Sequence, residues 1–278
     1  MEGESTDSTR ISKDDPSKKG IESITIVIPC YEESIDVVRT TIQSIVAALD
    51  TVRGLSYEIV LVDDGSTRIN YRETDFDEVC TVLRHRVNRG YGASLATGIR
   101  RANYPWIGII DADGTYPCER FPNLIKQAGE FQMVIGARRW KEISPLRRPA
   151  KIVLTAFASY LSNYRIPDLN SGMRVFHRQI YDENWRIYPE KFSFSSTLTM
   201  AALTHFHDVK FETIKYKKRV GTSFISPVRD TLRFFYQLMR LSLYFRPLRV
   251  FIPLSGLLTI LALSRGIRDY LLTGPSAA

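Results

Sequence analysis

The sequence is poor in the residues that staple small folds together. Cysteine occurs three times, at Cys30, Cys80 and Cys118, an odd number with no pair at disulfide or metal-ligand spacing. That excludes a disulfide framework and suits a reducing, cytosolic setting. Histidine is also scarce. His205 and His207 are near enough to suggest a metal, yet no third ligand is evident, and an ordinary helix end accounts for one or both. The N-terminus lacks the apolar run of a signal peptide. Gly90-Tyr91-Gly92 does not extend to G-x-G-x-x-G, so a dinucleotide-binding turn is excluded on the motif itself. There is no internal repeat.

What is present is a chain of 278 residues with ordinary apolar and charged fractions, long enough to bury a sizeable core. The formal net charge of +8 points to an anionic partner, whether nucleic acid, anionic lipid or a phosphorylated substrate. Residues 1–21 are polar and aperiodic and are expected to be a disordered tail. Residues 22–226 carry the alternating pattern of a folded domain, and 227–278 turn amphipathic and then apolar.

Within the central region, short β-rich runs alternate with helical periodicity, the signature of a parallel α/β sheet. Thr25–Ile28 is a buried strand stopped by Pro29. Ile35, Val38, Ile42, Ile45 and Leu49 then recur at helical spacing. Further strands are expected at Glu58–Val62, Cys80–Leu83, Trp106–Ile110 and Gln132–Gly136. Three strands end in polar clusters: Pro29-Cys30-Tyr31-Glu32-Glu33, Asp63-Asp64 and Asp111-Ala112-Asp113. Ligands of open α/β sheets bind at the carboxyl ends of strands, so these clusters should converge on one site. Asp111 and Asp113 flank one small residue and can share a cation of the Mg²⁺ or Mn²⁺ type, which takes few carboxylates and prefers substrate phosphates besides. An acidic turn capping the next helix would look the same.

The ordered set Pro29-x-Tyr31-x-Glu33, Val62-Asp63-Asp64-Gly65-Ser66, Asn88-x-Gly90-x-Gly92-Ala93 and Asp111-Ala112-Asp113-Gly114 resembles family 2 glycosyltransferases of GT-A fold. The likeness continues through Gly136-Ala137-Arg138-Arg139, Asp168-Leu169-Asn170-Ser171-Gly172-Met173-Arg174 and Arg219-x-Gly221-x-Ser223. These later motifs are similar to the polyprenyl-phosphate branch, which includes dolichyl-phosphate mannose synthase. The resemblance implies a Rossmann-like, mostly parallel sheet flanked by helices, with membrane-associated helices after it. It implies a metal-dependent, inverting transfer from a nucleotide-sugar donor to a polyprenyl phosphate at the cytoplasmic membrane face.

Carried onto this chain, Pro29, Tyr31, Glu33 and Asp63 would hold the nucleoside, with Asp64 as the next candidate and Arg219 reaching the donor. Asp111 would face the nucleotide, and Asp113, with Asp111, would bind Mg²⁺ or Mn²⁺ near Thr115. Arg139 and Arg147 would clamp the acceptor's phosphate, since guanidinium matches phosphate oxygens bidentately. Asp168 would stand near the acceptor as a base, or would orient it. The same basic cluster (Arg138, Arg139, Arg147, Arg148, Lys151) could instead be a solvated or membrane-facing charge run. The family's lysine after Arg-x-Gly-x-Ser is replaced here by Phe224, so either Arg219, Lys217 or Lys218 supplies that phosphate contact or the donor and acceptor preferences have shifted. Nucleic acid is not among the partners this resemblance implies, whereas a homo-oligomer is compatible with it. A hydroxyl acceptor, or a non-catalytic nucleotide-sugar-binding scaffold, are the rival readings.

Toward the C-terminus, Val228, Leu232, Phe235, Met239 and Leu243 recur at helical spacing with Arg229, Arg233 and Arg240 between them. That is the pattern of a basic interfacial helix, or of a helix packed on the domain. Val250–Leu263 is apolar but shorter than the ~20 residues of a span, and Pro253 and Gly256 weaken it. Arg246 and Arg249 would keep the preceding side cytoplasmic.

Overall fold

The computed structural model describes residues 21–139, 148–191, 193–216, 236, 239–240 and 242–273. All of the expected N-terminal tail but its last residue, Ile21, and most of the amphipathic stretch lie outside these residues, as do Arg147, Arg219 and Phe224.

Seven strands form one sheet: β1 (Ser23–Cys30), β2 (Ser56–Asp63), β3 (Thr81–Arg84), β4 (Trp106–Ile109), β5 (Met133–Arg138), β6 (Arg174–His177) and β7 (Val209–Ile214). Their order is β3-β2-β1-β4-β6-β5-β7. All neighbours run parallel except β6, which is antiparallel to both β4 and β5. The sheet is therefore mixed rather than wholly parallel.

Helices cover both faces: α1 (Ile35–Leu49), α2 (Tyr91–Arg101), α3 (Phe121–Ala128), α4 (Arg148–Ser162), α5 (Gln179–Asp182) and α6 (Phe194–Thr204). Period-two alternation sorts the strand side chains between two cores. Ile24, Ile26 and Ile28 of β1 join α1 and α3 on one side, while Val27 joins α2, α4 and α6 on the other. A central strand buried on both faces must be apolar throughout, which explains the unbroken run Ile26-Val27-Ile28.

His205 ends α6, and His207 bridges Gln132 Oε1 and Glu183 Oε2 at 2.9 Å each. Both are structural, as a helix-end reading requires.

The C-terminal helix corrects an expectation. It runs Pro247–Thr273, 27 residues, and its segment Pro247–Leu272 is long and apolar enough to cross a membrane. At ~1.5 Å per residue it exceeds a ~30 Å hydrocarbon core. Pro253 does not break it. A proline in a helix leaves the carbonyl four residues earlier without its amide donor. Here that carbonyl belongs to Arg249, and Tyr160 Oη of α4 donates to it at 2.9 Å.

Candidate active site

Strand order reverses between β1 and β4, and a cavity of about 700 Å³ opens at their carboxyl ends. That is where an α/β sheet leaves a crevice, and the volume falls in the ~300–1,000 Å³ range of small-molecule sites. Pro29, Tyr31, Glu33, Asp64, Asp111 and Asp113 all line it. Residues far apart in sequence are thus brought together as the strand-end argument requires.

Each strand end is set by local chemistry. Asp64 accepts from the Arg89 and Gly90 amides at 3.0 and 2.7 Å and contacts His85 Nδ1 at 2.7 Å. Its carboxylate organises the 85–90 loop that walls the cavity. Asp63 is fully buried behind the wall and does not line the cavity. Its Oδ1 accepts from the Ser66 amide at 2.9 Å, and its Oδ2 lies 3.3 Å from Arg84 Nε without a hydrogen-bond partner.

At the β4 end, Thr115 donates to Asp113 Oδ1 from both its amide (3.1 Å) and its hydroxyl (2.6 Å). Tyr91 Oη donates to Asp111 Oδ1 at 3.0 Å. Burial, and then the neighbouring Asp113 charge, push the Asp111 carboxyl up to about 6. Two carboxylates held this close in a desolvated cleft suit a divalent cation, which would offset both costs. Among the described residues no cluster of three His, Cys, Asp or Glu side chains forms a closed metal cage. An open two-carboxylate site fits Mg²⁺ or Mn²⁺, whose remaining positions go to water and substrate phosphate.

The antiparallel β6 contributes from its beginning rather than its end. Its first residue, Arg174, pairs with Ile109 of β4, so the preceding Asn170–Gly172 turn reaches the cavity. Gly172 is required there. A Cβ on it would lie 2.6 Å from Asp111 Oδ2, and its amide donates to Tyr116 Oη at 2.6 Å. Arg174 itself is wholly buried. It donates to the Ser195 carbonyl at 2.9 Å and to the Ser171 carbonyl, tying the turn to the start of α6.

The basic wall differs from expectation. Arg138, not Arg139, lines the cavity. Val134 faces the α1/α3 core, and alternation along β5 puts Gly136 and Arg138 on that same side, where Arg138 lies 5.4 Å over the Tyr216 ring. Arg139 lies beyond the strand and is exposed.

Asp168 does not reach the cavity as the acceptor's base. It is fully buried, accepting from Arg138 Nε (2.7 Å), Arg138 Nη2 (3.1 Å) and Lys151 Nζ (2.8 Å). Burial alone would raise its carboxyl, but Arg138 and Lys151 outweigh that and hold it down to about 2. A carboxylate so placed orients two cations and takes up no proton. Removing it strands them, so Asp168→Asn should lower stability at neutral pH by about 3–5 kcal/mol. Because the folded value lies below the ~3.9 of an unfolded Asp, this stabilisation is full above pH ~4 and fades as pH falls toward ~2. Melting temperatures across that window test it. A gap between wild type and variant that stays constant down to pH ~2 would refute the ion-pair role.

Motif reading missed Lys191, Ser193 and the Phe194–Ser196 start of α6, which close the far side of the cavity. A run of serines opening an otherwise apolar helix is the trace they leave in the sequence. Gly92 connects this wall to α2. Its amide donates to the Lys191 carbonyl at 3.1 Å, and a Cβ on it would lie 1.9 Å from the Pro189 carbonyl oxygen. The Gly92 and Ala93 amides at the α2 N-terminus are thus satisfied by the chain's own carbonyls, and Gly92 lets this wall pack closely.

The model of glycosyl transferase family 2 matches residues 25–185. The chain belongs to this family. Among its relatives is the dolichyl-phosphate hexose transferase of Haloferax volcanii, 25% identical over 215 residues, covering 74% of this chain and 88% of that one. Another is the undecaprenyl-phosphate 4-deoxy-4-formamido-L-arabinose transferase of Photorhabdus laumondii, 27% identical over 169 residues. The match covers 58% of this chain, which spans about half (51%) of that relative's length. In fold, the chain is similar to glucosyl-3-phosphoglycerate synthase of Mycobacterium tuberculosis, solved with Mn²⁺ and UDP. The TM-score is 0.60 at 17% identity, covering 82% of this chain and 81% of that one. The family 2 relatives with polyprenyl-phosphate names and this GT-A neighbour bear out the expected family and fold.

Proposed function

We propose that the chain moves a sugar, with inversion, from a nucleotide-sugar donor to a polyprenyl phosphate at the cytoplasmic membrane face. The observation that carries this is one cavity with an acidic pair, Asp111 and Asp113, on one wall and a braced guanidinium, Arg138, on another.

Pro29, Tyr31 and Glu33 hold the nucleoside at the β1 end. Asp63, from behind the wall, fixes the turn beside it. Asp111 and Asp113 would hold Mg²⁺ or Mn²⁺, which when bound would supply charge neutralisation to the leaving group. Tyr91 and Thr115 fix the two carboxylates, so little reorganisation accompanies charge development. Arg138, with Asp168 and Lys151 setting its direction, attracts the acceptor phosphate; Arg139, Arg147 and Arg219 add positive potential around it. An acceptor phosphate oxygen attacks the anomeric carbon as the bond from that carbon to the diphosphate oxygen breaks. A phosphate monoester is largely dianionic above its second pKa of ~6, so no protein base is needed. That agrees with an Asp168 that is spent on ion pairs.

Two experiments test the reading. A thermal-shift screen of nucleotide sugars should show stabilisation by one donor only when Mn²⁺ is present; no stabilisation by any donor sinks the donor site. Truncation after Ser226 should convert a protein that resists alkaline carbonate extraction from membranes into one that is released. Full-length protein recovered in the supernatant without detergent contradicts the membrane assignment.

A further inference from the structure

The motif Pro29-x-Tyr31-x-Glu33 leaves position 32 open, and the structure fills it with a residue in an uncommon conformation. Glu32 has a φ of 54°, in the left-handed region that residues bearing a Cβ rarely adopt. Such a turn persists where its surroundings over-determine it, and here they do. The Glu32 amide donates to Ser66 Oγ at 2.9 Å. Its carboxylate accepts at Oε1 from the Thr67 amide (2.8 Å) and the Thr67 hydroxyl (3.0 Å), and at Oε2 from the Arg68 amide and Arg68 Nε (3.3 Å each). The Thr67 amide above all holds the Glu32 carboxyl below the ordinary carboxylate range, so the group is ionised at neutral pH.

These bonds join two strand ends that wall the cavity. β1 and β2 run parallel with Cys30 opposite Asp63, so the loops after them emerge side by side. The first loop carries Tyr31 and Glu33 to the cavity, and the second carries Asp64. Three further bonds continue the lattice. The Asp64 amide donates to the Cys30 carbonyl at 2.8 Å, the Ser66 amide to Asp63 Oδ1 at 2.9 Å, and Tyr71 Oη to the Glu33 carbonyl at 2.5 Å. Tyr31 is 47% exposed, so the turn that carries it sets the direction of its ring. Glu32 does not line the cavity itself, and it acts through its two neighbours.

We propose that Glu32 is a positioning residue for the nucleoside half of the donor: its carboxylate clasps the 66–68 loop and so fixes Tyr31 and Glu33 in the attitude that receives the nucleoside. This rests on the donor reading of the cavity and deepens it. Bonds to an ionised carboxylate are stronger than neutral ones, so one side chain holds two loops in register. The acidic pair at the β4 end is fixed by Tyr91 and Thr115, and Arg138 by Asp168, independently of Glu32. The effect therefore falls on nucleoside binding and leaves the phosphates and the chemical step alone.

The test uses the full chain in detergent micelles. UDP, GDP, CDP and ADP are titrated with Mn²⁺, and then the monophosphate of the base that binds. Glu32→Gln keeps the size but turns N–H groups toward the Arg68 donors. Glu32→Gly removes the carboxylate and accommodates the left-handed turn without strain. Both should weaken monophosphate and diphosphate binding by the same factor, about 10-fold, because the loss lies in the part the two ligands share. Donor KM should rise by that factor while kcat and acceptor KM stay within about twofold of wild type. Thr67→Val, which deletes the hydroxyl bond and keeps the amide bond, should give a smaller loss. Unchanged nucleotide affinity in either Glu32 variant overturns the proposal. So does a rise in both KM values together with a fall in kcat, because Glu32 then holds the fold and not the nucleoside wall. If the wild type binds none of the four diphosphates, the donor reading falls and this proposal falls with it.

Discussion

Asp113→Asn is expected to lower sugar transfer by at least ~10²–10³-fold and to remove the metal dependence of donor binding. The side chain keeps its size and can still accept from Thr115, so the fold should persist with an unchanged melting temperature. What goes is the second negative charge beside Asp111. Donor titrations with and without Mn²⁺ should then superimpose. The neighbour gives a graded control: Thr115→Ala leaves the charge and the backbone amide bond but removes the hydroxyl bond to Asp113, and should weaken metal affinity by about 10–100-fold. Undiminished turnover in Asp113→Asn would refute the acidic pair as the metal site.

Gly172→Ala should be almost as damaging despite adding one methyl group. The new Cβ would sit 2.6 Å from Asp111 Oδ2 and 2.9 Å from its Cγ, a separation that real contacts do not sustain. Tyr91 pins Asp111 from the other side, and Tyr116 pins the Gly172 amide, so neither partner yields cheaply. A displacement of ~1 Å at a reacting site costs about 10²-fold in rate. The loss should show in kcat/KM together with metal affinity. Wild-type values for both would mean the carboxylate is not held where the structure puts it.

The strands that end in chemistry were legible because apolar runs stop abruptly at Asp, Gly and Pro clusters. Asp63-Asp64, Asp111-Ala112-Asp113 and Pro29-x-Tyr31-x-Glu33 announce both the sheet and its active edge. β6 was not legible. Arg174–His177 is four residues with a buried arginine in front, too short for a period and too polar for a core strand. The choice between Arg138 and Arg139 depends on strand parity at the very end of β5, which a motif does not encode. Asp168 stood out as a carboxylate, yet its role follows from its ion pair with Lys151 in the first turn of α4, a partner 17 residues away. The C-terminal helix was underestimated because Pro253 and Gly256 argue against a span on local grounds. The donor that rescues the Arg249 carbonyl comes from Tyr160, 89 residues earlier. Such long-range compensation leaves no local sign.

The measurement that bears most directly on the whole account is the identity of the product. The full-length protein is incubated with Mn²⁺, the donor found by thermal shift, and either polyprenyl phosphate or the matching polyprenol. The account predicts a glycolipid formed only from the phosphate, with the sugar released by mild acid, and with formation falling as pH drops through the ~6 of the phosphate's second proton. Transfer to the plain hydroxyl acceptor, and none to polyprenyl phosphate, would contradict it.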